Sequence, residues 1–179
     1  MAVPRLTIPA RRRLFRLFVY DPATGDLIWR ERPASDFVSV GEAKRWNGRY
    51  ARTIAGWNNS TGRWVTINGT DYQAHRVIWR ILHPGRVPSL VDHRDLNKRN
   101  GRADNLRAAT SSQNNSNVTM RRNNSTGYKG VYEDHGKFRA QIRHDGIVYY
   151  LGRFLTKEEA YAAYCAEADR LHGEFARHQ

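Results

Sequence analysis

Four side chains in the middle of the chain have the types and order that metal-assisted hydrolysis of a phosphodiester requires: Asp92, His93, Asn105 and Asn114. The Asp92 carboxylate and the Asn114 amide oxygen are hard ligands of the kind Mg²⁺ takes, and that ion also keeps waters and accepts phosphate oxygens. An imidazole such as His93 can remove a proton from water near neutral pH. A metal ion opposite it would stabilise the pentacovalent phosphorane and the leaving 3′ oxygen. Each residue also has a plainer role. A lone histidine is more often a structural hydrogen-bonder, and Asp92 and Asn105 suit turns and edge-strand caps.

The elements that must position these groups are legible around them. Val91-Asp92-His93 reads as a strand after Pro88, Arg94–Asp104 as a polar loop, and Asn105-Leu106-Arg107 as a return strand. Thr110-Ser111-Ser112-Gln113 is a capping box that starts a helix and puts Asn114 in its first turn. A β–loop–β–helix unit can bring the four residues together. Upstream, residues 10–19 read as a short basic amphipathic helix with Leu14, Leu17 and Phe18 inward, Asp21–Gly25 as a turn, and Leu27-Ile28-Trp29 as a strand. Between about 33 and 60 the glycines Gly41, Gly48 and Gly56 and the pair Asn58-Asn59 break every pattern. Residues 63–67 and 70–74 flank Asn68-Gly69, a strong hairpin signal, and Arg76–Leu82 reads as a buried helix stopped by Pro84-Gly85.

Beyond the centre, Asn115–Thr126 has few apolar residues, includes Arg121-Arg122, and reads as a linker. In Lys137–Arg143 the period is two: Phe138, Ala140 and Ile142 face one way, Lys137, Arg139, Gln141 and Arg143 the other. Strands ending at Tyr132 and spanning Ile147–Phe154 flank it. Thr156 and Glu159 form a second capping box, opening a helix with Ala160, Tyr164, Ala168, Leu171 and Phe175 on one side. Three strands and one helix bury one sheet face and leave the basic face wet.

The 179 residues have room for one domain or two small ones, and 30 Lys and Arg against 17 Asp and Glu give a net charge of +13. Residues 1–89 carry +9, 90–123 carry +4, and 124–179 are neutral overall. This balance points to a polyanionic partner. No apolar run approaches the roughly 18 residues that span a bilayer, which excludes an integral helical membrane protein. The opening MAVPRLTIPARRRLF lacks the order of a signal peptide. With Cys165 as the only cysteine there is no internal disulfide and no Cys-rich zinc staple, so a cytoplasmic, reducing compartment is expected.

The stretch VDHRDLNKRNGRADNLRAATSSQNNSN resembles the HNH endonucleases of the phage and intron homing type. The resemblance implies an α+β fold with a ββα-metal nuclease core. It makes Asp92 and Asn114 ligands of Mg²⁺ (or another divalent ion such as Mn²⁺), His93 the general base, and Asn105 the residue that orients His93 and holds the loop. Tyr72–Trp79 is similar to the segment preceding the family's metal motif, where His75 would be a structural or DNA-side residue outside the metal's immediate ligands. Residues 124–131, Tyr150–Phe154 and the EEAYAAY helix resemble the AP2 DNA-binding module, a three-stranded antiparallel sheet packed on one helix. That resemblance places Lys129, Tyr132, Lys137, Arg139, Gln141 and Arg143 on double-stranded DNA.

The implied organisation is a leader region over 1–59, a nuclease domain over 60–120 and an AP2-like domain over 124–177. The chain would act as a monomer without an obligate protein partner. Departures from the family pattern are Arg94 and Asp95, where an apolar residue and Asn are common, and Tyr132, where an Arg- or Trp-rich tract is common. Asp95 is thereby expected to perturb His93 or the metal's field. The rival expectations are a non-catalytic DNA-binding protein such as a transcription regulator, and an RNA-binding protein.

Overall fold

In a computed structural model that describes residues 7–120 and 123–178, the chain divides into two units, residues 1–108 and 109–179. Arg121-Arg122 of the expected linker and the first six residues lie outside the described part.

The first unit begins with helix α1 (Arg11–Leu17), which buries Leu14 and Leu17. It ends earlier than the amphipathic pattern suggests. Phe18 is extended, and strand β1 (Phe18–Asp21) pairs antiparallel with β2 (Asp26–Trp29). Val19 and Tyr20 favour a strand, and Phe18 packs its ring 4.5 Å from Trp29, so cross-strand packing overrides the helical period. Asp21 makes the turn by accepting the Ala23 N–H at 2.9 Å and the Thr24 hydroxyl at 3.0 Å.

The patternless stretch after residue 33 contains helix α2 (Val40–Tyr50), capped by Ser39, whose hydroxyl accepts the Glu42 N–H. Ala43 is its only buried residue; Trp46 packs on Trp29, Phe37 and Tyr50. Asn47 clamps Arg32, accepting its N–H at 3.0 Å and donating to its carbonyl at 2.8 Å.

Strands β3 (Trp57–Asn59), β4 (Gly62–Ile67) and β5 (Thr70–Gln73) form an antiparallel sheet in that order, with Asn68 and Gly69 at φ 50° and 76° in the expected hairpin turn. Helix α3 (Ala74–Leu82) follows at once and buries Ala74, Val77, Ile78 and Ile81. Strands β6 (Leu90–His93) and β7 (Leu106–Ala109) make a two-stranded sheet.

One hydrophobic cluster joins Leu14, Phe18 and Leu27 to Val65, Ile78, Val91 and Leu106. The leader therefore shares its core with the residues after 60. Its β1–β2 turn is wedged against the β6–β7 loop. A Cβ on Gly25 would lie 2.3 Å from the Arg102 nitrogen, and one on Gly101 would lie 2.3 Å from the Gly25 oxygen. The Tyr20 hydroxyl donates to the Gly101 carbonyl at 3.1 Å, and Arg102 Nη1 donates to the Ala23 carbonyl at 2.9 Å.

The second unit holds helix α4 (Ser111–Ser116), strands β8 (Val131–Asp134), β9 (Lys137–His144) and β10 (Ile147–Phe154), and helix α5 (Lys157–His172). The strands form an antiparallel sheet ordered β10-β9-β8, with two-residue turns at His135-Gly136 and Asp145-Gly146. Helix α5 has its complete Thr156–Glu159 capping box and lays Ala160, Tyr164 and Ala168 on Val131, Ala140 and Ile142. A separate three-stranded sheet packed on a helix is thus present. The expected linker is structured in part: Asn124 closes a turn by accepting the N–H groups of Thr126 and Gly127.

Candidate functional site

Asp92 and His93 end β6, and both are nearly enclosed, with 6% and 5% of their surface exposed. The Arg94 N–H donates to the Asn105 carbonyl at 2.9 Å, which sets a register that brings Arg107 across from Asp92. Arg107 uses it. Its Nε and Nη2 both donate to Asp92 Oδ2, at 3.0 and 2.9 Å, inside the core of the unit. Arg107 is the principal site residue that the motif does not announce. The available signal is opposite charge at facing positions of a two-stranded antiparallel pair.

The Asn105 side chain bonds to the loop at Asp95 and Asn100. Its side-chain oxygen accepts the Asp95 N–H at 3.0 Å, while its amide donates to Asp95 Oδ1 and to the Asn100 carbonyl, each at 3.0 Å. Burial pushes the Asp95 carboxyl up, but bonds from Asn100, Asn97 and Asn105 outweigh it and hold the group below its usual range. The position that departs from the family pattern is therefore a fixed negative charge beside His93.

Burial pushes the His93 imidazole below its ordinary value, against the opposing pull of Asp95 and Asp92. The ring is neutral at pH 7, the state a general base needs. His75, at the start of α3, meets it edge-to-face with ring centroids 4.7 Å apart. Burial, then the neighbouring His93, push His75 down to about 3. The structure thus places His75 against the His93 ring.

Asp92, His93 and Asn105 come together around one loop. Asn114 lies on α4, in the second unit, where Thr110 and Gln113 complete the expected capping box. Among the described residues, no group of three or more His, Cys, Asp or Glu side chains is arranged to hold a metal ion.

On the C-terminal sheet the alternation of β9 is realised: Ala140 and Ile142 are buried while Lys137 and Arg143 are exposed. Tyr132 and Arg153 flank Arg139 on either side in the strand register, and the Arg139 guanidinium lies 5.7 Å from the Tyr132 ring centre. Gln141 pairs with Tyr150, which is 59% exposed. Lys129, two residues before β8, is partly buried. Its ammonium donates to the carbonyls of Ser116, Val118 and Arg177 at 2.8–3.0 Å, and burial lowers it to about 8.

Residues 72–116, about a quarter of the chain, match the family model described as HNH endonuclease. The matched stretch starts in β5, runs through α3, and ends with β6, β7 and α4 in ββα order. The chain therefore carries an HNH-type nuclease domain, a class that acts on nucleic acid. No curated protein matches the chain, and no solved structure does. Among the described residues, no helix is long and apolar enough to cross a membrane.

Proposed function

We propose that the protein is a divalent-metal-dependent DNA endonuclease of the homing type, in which His93 is the general base. The observation that carries this reading is the pairing, on one strand end, of a neutral enclosed imidazole with a carboxylate that Arg107 locks in place. A single carboxylate beside that base fits Mg²⁺, which binds through one or two carboxylates together with waters and phosphate oxygens and needs no all-protein cage. Asp92 would hold the ion. Asn114 is kept as its second ligand on the strength of the resemblance. When bound, the metal would neutralise charge building on the phosphate and its leaving oxygen.

The chain's own groups would do the rest. His93 accepts the proton of the attacking water, and His75 and the Asn105–Asp95 clamp restrict where its ring and loop can sit. The nearby charges of Asp95 and Asp92 favour the imidazolium that proton transfer creates. On the C-terminal sheet, the wet face with Tyr132, Lys137, Arg139, Gln141 and Arg143 would meet duplex DNA, since a β-ribbon fits the major groove and arginine reads guanine there. The protein would work as a monomer.

Digestion of supercoiled plasmid with and without Mg²⁺ tests the reading. Conversion to nicked or linear DNA that requires the metal and is lost in His93→Ala is the expected result. Metal-independent cleavage would overturn the metal-dependent mechanism, whereas no cleavage in any divalent ion despite tight DNA binding would favour a non-catalytic regulator.

A further inference from the structure

We infer that the exposed face of α2 is a second contact surface for the phosphate backbone of duplex DNA, separate from the wet face of the C-terminal sheet. This inference rests on the reading of the protein as a DNA endonuclease. The rotation of the helix about its axis is fixed from inside, by the burial of Ala43, the packing of Trp46 and the two bonds from Asn47 to Arg32. Lys44, Arg45 and Arg49 must then point outward, and all three are exposed. Among the described residues none of the three makes an ion pair, and the helix's one carboxylate, Glu42, turns back to accept the Val38 N–H. Three cations against a single carboxylate on one short helix, none of them held in an ion pair, leave a net positive face that suits a polyanion.

A second observation agrees. Gly41 and Gly48, seven residues apart, share the outward face with these cations. Each glycine inside a helix costs about a factor of five in the folding constant relative to alanine. Nothing in the fold requires either one: a Cβ at Gly48 would meet no atom within 4 Å, and one at Gly41 would meet only the Ser39 hydroxyl at 3.9 Å. Bare backbone between cations lets a phosphate chain approach closely. Val38 and Val40, 97% and 60% exposed at the start of the helix, are what an apolar protein partner would use instead.

The test compares wild type with the Lys44→Gln/Arg45→Gln/Arg49→Gln variant for binding of a fluorescent random-sequence duplex across a salt series, alongside plasmid cleavage. With three fewer phosphates neutralised, the salt slope should fall by about 2.7 units, so the affinity gap between the proteins shrinks by roughly 40-fold between 50 and 200 mM salt. Gly41→Ala/Gly48→Ala supplies the complementary readout. It should raise the melting temperature while weakening DNA binding, a combination that a solvent-facing helix would not show. A wild type that cleaves plasmid, with an unchanged slope in the cation variant, overturns this inference alone and leaves the valines as a protein-docking site. A wild type that neither binds nor cleaves duplex DNA overturns the nuclease reading with it.

Discussion

Lowering the pH should destabilise the first unit through His75. The group titrates at about 3 in the folded chain against about 6.5 in a free histidine. Between these values the unfolded chain binds a proton that the folded chain does not, so stability rises with pH there and is lost as pH falls. From pH 7 to pH 5 the loss from this one group is about 2 kcal/mol, a sizeable share of the 5–15 kcal/mol typical of a domain. All five tryptophans lie in the first unit, so their fluorescence in a urea titration reports that unit alone. The His75→Gln variant need not be as stable as wild type. What matters is that its midpoint should fall less steeply between pH 7 and pH 5, with about 2 kcal/mol of the pH dependence removed. Parallel midpoint curves for the two proteins would refute the reasoning and show that His75 is solvated or protonated in the folded state.

Further outcomes concern the site and the sheet. His93→Ala should reduce cleavage by about 10²–10⁴-fold while leaving DNA affinity intact, because a general base acts in the transition state; gel-shift and single-turnover assays separate the two. Arg107→Met should destabilise the first unit by about 3–5 kcal/mol, read from tryptophan fluorescence, because it removes one partner of an enclosed ion pair. Arg139→Ala with Arg143→Ala should weaken binding to duplex DNA and lower its salt slope by about one unit for each phosphate left unneutralised, with circular dichroism unchanged.

Elements with a clean period or a complete end signal are legible in the sequence. The Asn68-Gly69 hairpin, the alternating β9 strand and the two Thr-led capping boxes each rest on local chemistry that tertiary packing does not contradict. Helix α2 is hidden although Ser39-Val40-Gly41-Glu42 carries the Ser-x-x-Glu start signal, because Gly41 and Gly48 remove the apolar repeat that would have backed it. Strand β1 reads as the tail of a helix because α1 and β1 share one apolar run, and only the partner strand eight residues on decides between them. In the site, the order of Asp92, His93 and Asn105 is visible, but Arg107 and His75 act through contacts between elements. Such contacts depend on register and on the path of the chain, which residue types alone do not specify.

The wedge of Gly25 against Gly101 bears on how such a nuclease can be moved between proteins. The stretch that matches the family begins at residue 72, yet the loop that follows His93 is braced by backbone contributed some eighty positions earlier. Residues 72–116 are therefore not a portable cassette. A chimera that transplants them alone would carry the motif while leaving its brace behind. The smallest unit worth exchanging starts at α1, and at Gly25 and Gly101 any recombined partner must keep glycine on both sides of the seam.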